Sequence, residues 1–321
     1  MDSKSKLKSI CNVALKEYLG LTDSETLLVI TDEHKNDIGY SFFEAAKEIC
    51  HEAIYIEMKS RELNGQEPPE PIAELMKSVD AVICPTDKSL THTNARREAS
   101  KLGVRVATMP GITKDMLIRC LSADPKTIIE LSNEIASKMK YTDIIHVTTK
   151  LGTDIKLPVK LRKVIISTGV LKNIGESGNL PSGEVYIAPI ENKSNGKIVI
   201  DGSVAGIGII KEPIEIEIVD GFAVNFKGDE KAIELQDMLG KVGKLGYSVA
   251  EFGIGTNHKA KITGDILEDE KVMGTIHIAF GNNITMGGKN DVKIHIDGII
   301  KSPTVYFDNE LIMENGKFLN K

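Results

Sequence analysis

Leu27-Leu28-Val29-Ile30-Thr31-Asp32 is a run of four large aliphatic residues closed by a hydroxyl and a carboxylate. A strand that is apolar on both faces belongs in a sheet covered on both sides, which is how parallel α/β architectures are built. The neighbouring sequence repeats the pattern. Ser41–Glu52 places Phe42, Ala45, Ala46 and Ile49 on one helical stripe, and Ala53–Met58 reads as a second strand. A helix over Ile72–Lys77, a strand over Ala81–Pro85, a helix over Asn94–Lys101 and a strand over Val104–Thr108 follow. Lys114–Leu121 and Pro125–Met139 read as helices, the second leading out of the domain. Residues 1–140 are therefore expected to form a Rossmann-like α/β N-terminal domain with an open parallel sheet.

Glycine marks a change of grammar. Only Gly20, Gly39, Gly65, Gly103 and Gly111 precede Tyr141, and the other 23 of 28 follow it. Beyond that point short β-branched or alternating runs predominate, among them Gly183–Pro189, Ile214–Val219, Phe222–Phe226, Ser248–Gly253, Gly274–Phe280 and Val292–Gly298. Asp220-Gly221 between two of them signals a tight hairpin. One helix, over Glu230–Leu239, interrupts the series. This predicts a mostly antiparallel α+β C-terminal domain over residues 141–321.

Composition removes several functional classes. Forty basic against 46 acidic residues leave a net charge of −6, which argues against a nucleic-acid partner. Aromatic residues make up 5 % with no Trp, so stacking platforms for bases are not expected. No stretch approaches the ~20 apolar residues of a membrane span, and no secretory leader is read at the N-terminus. Cys11, Cys50, Cys84 and Cys120 are widely spaced, and read as reduced core thiols of a cytoplasmic protein. No G-x-G-x-x-G follows the first strand and no phosphate-binding loop occurs, so a nucleotide cofactor is not supported. Ser89–Arg97, near the strand ends where such sheets bind ligands, reads as an N-capped surface helix or as a contact to substrate or another subunit.

Chemistry concentrates in the second half. In Asp291–Gly298 the alternation places Val292, Ile294 and Ile296 on one face and Lys293, His295 and Asp297 on the other. In Gly274–Asn283, His277 shares a face with the small residues Thr275 and Ala279. Glu184 begins an apolar strand after Asn179-Leu180-Pro181-Ser182-Gly183, and Glu251 sits between Ala250 and Phe252 in a run without other charge. A buried carboxylate needs a cation, an arginine or lysine, or a proton, and each of the two is open to all three readings. Two Glu, two His and one Asp in apolar strands of one domain are what a two-metal site requires. With no cysteine in this half, hard or borderline ions are favoured.

Taken together, these segments resemble the metal-dependent aminopeptidase T / aminopeptidase S family of leucyl-type aminopeptidases. The resemblance rests on Asn179–Val185, the Glu251 strand, the acidic stretch Leu267-Glu268-Asp269-Glu270 leading to His277–Gly281, and the His-x-Asp strand at 295–297. It implies a metal-binding catalytic C-terminal domain with a pair of divalent ions (Zn, Co or Mn). Glu184, Glu251, His277, His295 and Asp297 would be the ligands, with Glu251 bridging. It further implies a hydrolase that removes N-terminal residues from small peptides and works as a homodimer. Glu251 or Glu270 would shuttle the proton, while the metal or Asn282, Asn283 and His258 would stabilise the oxyanion. Two departures stand out. The family's catalytic tyrosine position is Ile284 here, and the acidic run before His277 differs in length. The same fold family is related to ring-cleaving dioxygenases of dihydroxypyridine type, which hold one Fe(II) with two His and a carboxylate, a role His277, His295 and Asp297 could fill. A non-catalytic binding homologue is the third reading.

Overall fold

The computed structural model describes residues 3–319, which divide into two compact units. One extends to Thr127 and takes back the segment Ser167–Ser182; the other holds Ile128–Ile166 and continues from Gly183. The architecture is an α/β domain with a parallel sheet and a mostly antiparallel domain, as the sequence pattern predicts.

In the first unit, the strands run Glu52–Met58, Thr26–Asp32, Ala81–Thr86, Arg105–Pro110 and Ser177–Asn179 across the sheet, every neighbouring pair parallel. Burial explains the uninterrupted apolar run, since Leu27–Asp32 are buried throughout. Leu28, Ile30, Val82, Cys84 and Val106 pack in one cluster with Met76, Ala95 and Ala99. The helix expected over Ser41–Glu52 spans Asn36–Ala46, and that expected over Ile72–Lys77 spans Glu70–Leu75, following Pro69 at the N-cap. Thr93 caps the helix Asn94–Lys101 by accepting from the Arg96 amide. The rest of Ser89–Arg97 is tied into the unit: the Thr91 hydroxyl bonds Thr108 and Asn179, and Arg96 donates to the Thr91 carbonyl and Ser177. The cysteines are free thiols.

The second unit contains two antiparallel sheets. In the eight-stranded sheet, Ile214–Val219 alternates cleanly, with Ile214, Ile216 and Ile218 inward. It turns into Phe222–Lys227 through Asp220 and Gly221, both at positive φ (47° and 79°) as a two-residue hairpin with matching twist demands. The seven-stranded sheet runs, in spatial order, Gly208–Ile209, Ser203–Val204, His295–Lys301, Thr275–Gly281, Val249–Gly255, Glu184–Ile187 and Val164–Ser167. Side chains of both sheets meet in one core with Leu131, Ile135 and Met139 of the helix Pro125–Met139. Among the described residues, no helix is long and apolar enough to cross a membrane.

Candidate metal centre

Four adjacent strands of the seven-stranded sheet build the site, and register decides which side chains share a face. Glu251 pairs with Ala279, and Ala279 with Asp297. Gly253 pairs with both Tyr186 and His277, Gly255 with Glu184, and Gly281 with His295. Paired residues and those two apart point to the same side, so Glu184, Tyr186, Glu251, His277, His295 and Asp297 all project from one face. The residues between them on that face are small for a reason. A Cβ on Gly253 would lie 2.0 Å from His277 Nε2, because the imidazole lies directly over it.

Glu251 is central. Its Oε1 lies 3.1 Å from His277 Nε2 and its Oε2 lies 3.2 Å from His295 Nε2; His295 Nε2 is in turn 3.5 Å from Asp297 Oδ1. The donors separate into two groups, Glu251–His295–Asp297 and Glu184–Glu270–His277, within each of which the ligand atoms lie within 4.8 Å of one another. All five residues singled out as ligands in the sequence are thus brought to one face, joined by Glu270. The grouping assigns His277 to Glu184 rather than to His295 and Asp297.

His295 is aimed by its other ring nitrogen, which donates to the Asn282 carbonyl at 2.8 Å and leaves Nε2 for the carboxylates. About a third of its side chain (32 %) is exposed, whereas His277 is fully buried. That difference makes His295 the open side of the centre.

Burial by itself would push Glu251 upward, but hydrogen bonds from His277 and His295 hold it well below the usual carboxylate range. Desolvation works against charge on both imidazoles, yet Glu251 raises His277, and Asp297 with Glu251 raises His295. Three buried atoms on this face have no hydrogen-bond partner: Glu184 Oε2, Asp297 Oδ1 and His277 Nδ1. Unsatisfied carboxylate lone pairs beside imidazoles, with no sulfur donor, are the donor set of a divalent cation. The residues therefore fit a metal.

A residue the sequence reading overlooked stands in the second group. Lys271 is 1 % exposed, with Nζ 2.9 Å from Glu184 Oε1 and in contact with Glu270 Oε1. Burial pushes Glu270 up to about 8 and raises Glu184 too, against the opposing pull of the ammonium. Desolvation opposes charge on Lys271, and the two carboxylates outweigh it and raise its pKa. Gly255 makes the approach possible: a Cβ there would meet the Val272 carbonyl oxygen at 2.2 Å. The other acids of the run have a separate task. Glu268 accepts from the Lys261 amide, and Asp269 accepts from the Thr263 and Gly264 amides and the Ser203 hydroxyl, so both pin the preceding loop. Only Glu270 enters the site.

Tyr186 is the other overlooked residue. It lies two positions from Glu184 on the same face, and burial, reinforced by Glu184, Glu251, Glu270 and Asp297, raises its phenol. Ile284, at the position of the family tyrosine, is 45 % exposed. Asn283 is committed to Glu191 and Asn290, the Asn282 side chain donates to the Val292 carbonyl, and His258 belongs to neither donor group.

A sheet face whose donors fit a metal, in a chain with an open α/β unit and an antiparallel one, is the combination a class of metalloproteins would use. Comparison then supplies the family. A model of 2,5-dihydroxypyridine 5,6-dioxygenases matches residues 8–320, and the chain belongs to that family. The 2,5-dihydroxypyridine 5,6-dioxygenase of Pseudomonas putida is 24 % identical over 247 residues, 71 % of this chain and 68 % of that protein. The solved structure of 2,5-dihydroxypyridine dioxygenase from Pseudomonas putida superposes with a TM-score of 0.85 at 18 % identity, covering 100 % of this chain and 99 % of that one. AmpT from Thermus thermophilus superposes with a TM-score of 0.73 at 15 % identity, covering 99 % and 100 %, and shares the fold.

These matches correct the main functional expectation. The chain belongs with the 2,5-dihydroxypyridine 5,6-dioxygenases, not with the aminopeptidases, so the hydrolase and metallopeptidase assignment and the small peptide substrate fall. The motifs that suggested a peptidase are those of a shared fold. The site supplies a physical reason for caution with such motifs: an ammonium already lies among the carboxylates of one donor group, and the tyrosine position is aliphatic.

Proposed function

We propose that the chain is a ring-cleaving dioxygenase for an electron-rich hydroxylated ring of the dihydroxypyridine class, with a single Fe(II) held by Glu251, His295 and Asp297. The observation that carries this reading is the family match over residues 8–320. The donor geometry supports it, with one imidazole and two carboxylates converging on the open side of the sheet. The triad of His277, His295 and Asp297 changes in one member, because His277 reaches the group only across Glu251. Bound there, ferrous iron would supply the one-electron chemistry that couples dioxygen to such a ring.

The chain's own residues do the remaining work. The Asn282 carbonyl fixes the His295 ring so that Nε2 faces the carboxylates. His277 keeps a proton at Nε2 against Glu251 Oε1 and so limits the negative charge gathered on this face. Tyr186 retains its phenolic proton and offers a hydrogen-bond donor on the same face. The exposed edge of His295 leaves that side of the centre accessible to a planar ring.

The test is anaerobic reconstitution with Fe(II), metal analysis, and oxygen uptake with 2,5-dihydroxypyridine and related hydroxylated rings, alongside leucyl amide hydrolysis. One iron per chain with ring-dependent oxygen consumption is expected. Iron-loaded protein that consumes no oxygen with any of these rings would overturn the reading.

A further inference from the structure

The group Glu184–Glu270–His277 has the composition of a second cation site, yet a cation of the chain's own already lies in it. We infer that Lys271 is the resident cation of this cluster and holds the centre to one metal ion. The inference rests on the single-ion reading above and explains it.

Several observations converge. At 1 % exposure, Lys271 has lost its water, and an ammonium in that condition is tolerable only when fully paired. It finds two carboxylates, Glu184 at 2.9 Å and Glu270 in contact. A metal bound by the same oxygens would sit about 2.0–2.2 Å from them, and so within reach of the Nζ charge. Like charges at that separation in a buried site repel strongly, so ammonium and metal exclude one another. The backbone enforces the arrangement, since the Lys271–Val272 segment runs against Gly255 without room for a side chain there.

The cluster nevertheless has capacity that one ammonium does not use. Glu184 Oε2 is buried without a hydrogen-bond partner, 3.8 Å from His277 Nε2. Truncating Lys271 removes the competitor and opens space among the same donors. The lysine thus acts as a selector of metal number, and through it of the chemistry this sheet can host.

The experiment strips wild type, Lys271→Ala and Glu270→Gln/Lys271→Ala of metal, then titrates each with Mn²⁺ alone. Bound ion is counted by equilibrium dialysis and thermal midpoints are recorded. Wild type is expected to bind one equivalent, Lys271→Ala two, and the double variant one. Metal-free Lys271→Ala should melt below wild type, with the second equivalent of Mn²⁺ restoring the loss. One equivalent in Lys271→Ala overturns the inference and leaves the single-ion reading standing. Failure of Lys271→Ala to fold even with excess Mn²⁺ also overturns it, because an ion able to enter the cluster would replace the ammonium. Two equivalents in wild type would instead sink the single-ion reading itself.

Discussion

His295 Nδ1 and the carbonyl oxygen of Asn282 lie 2.8 Å apart, and a carbonyl only accepts. The ring proton is therefore fixed on Nδ1, and Nε2 is left to bind. Asn282 is held in turn by its amide donating to the Ile294 carbonyl and by the neighbouring Asn283, which bonds Glu191 and Asn290. His295→Ala and Asp297→Ala should lose the ion outright while folding normally. Asn283→Ala should weaken metal affinity about 10–100-fold by releasing the carbonyl that orients the ring. Metal dialysis on the three proteins checks this; unchanged affinity in Asn283→Ala would remove the orienting role.

Gly253 is required by the imidazole over it. Gly253→Ala should force His277 off its position and destabilise the protein by about 1–3 kcal/mol, as overpacking in a close-packed interior does. Denaturant unfolding measures the loss. Gly243→Ala is a poor control because its φ is positive (76°) and would add backbone strain, so Gly288→Ala, which would meet Asn283 at 2.1 Å, is the better comparison. It should destabilise similarly without displacing His277.

Glu191 provides a pH dependence outside the two donor groups. Burial raises its carboxyl, but the backbone amides of Glu191 and Lys289 and the side chains of Arg162 and Asn283 outweigh this and leave its pKa below the ordinary 4.5. A depressed carboxylate contributes stability that is complete above its unfolded value and drains away as pH falls toward the folded one. The gap in thermal midpoint between wild type and Glu191→Gln should be widest near pH 7 and shrink below about pH 4.5. A gap that stays constant into acid would show that the loop 283–289 does not depend on that charge.

Asp269 closes the loop ahead of Lys271 by accepting from Thr263, Gly264 and Ser203. Asp269→Ala strands these donors in a buried setting and should cost at least about 3 kcal/mol. Chemical denaturation gives the value, and a cost near zero would mean the loop repacks freely.

The parallel sheet was legible because burial on both faces leaves a plain trace, as in Thr26–Asp32. So was the Asp220-Gly221 hairpin, whose backbone conformation few other pairs adopt. The donor residues were legible as charges in apolar strands. Lys271 was not: beside Glu270 it reads as half of a solvated charge pair, and its burial depends on Gly255, sixteen positions earlier in the chain. Ser177–Asn179 is three small residues with no periodicity, yet it pairs with Arg105–Pro110. The strand expected from Val292 begins at His295, because Val292 and Ile294 give their carbonyls to Asn282 in the connecting loop. Tyr186 reads as an ordinary strand residue, and only the register with Gly253 sets it on the donor face beside Glu184.

Glu184, Glu251, His277, His295 and Asp297 are carried on rungs of a single sheet, so their spacing follows the ~4.8 Å lattice of inter-strand hydrogen bonds. Connections that grow or shrink between those strands leave that lattice untouched. Changes in those connections can remodel the entrance, and with it the molecule admitted, while the spacing of the donors stays as the sheet sets it.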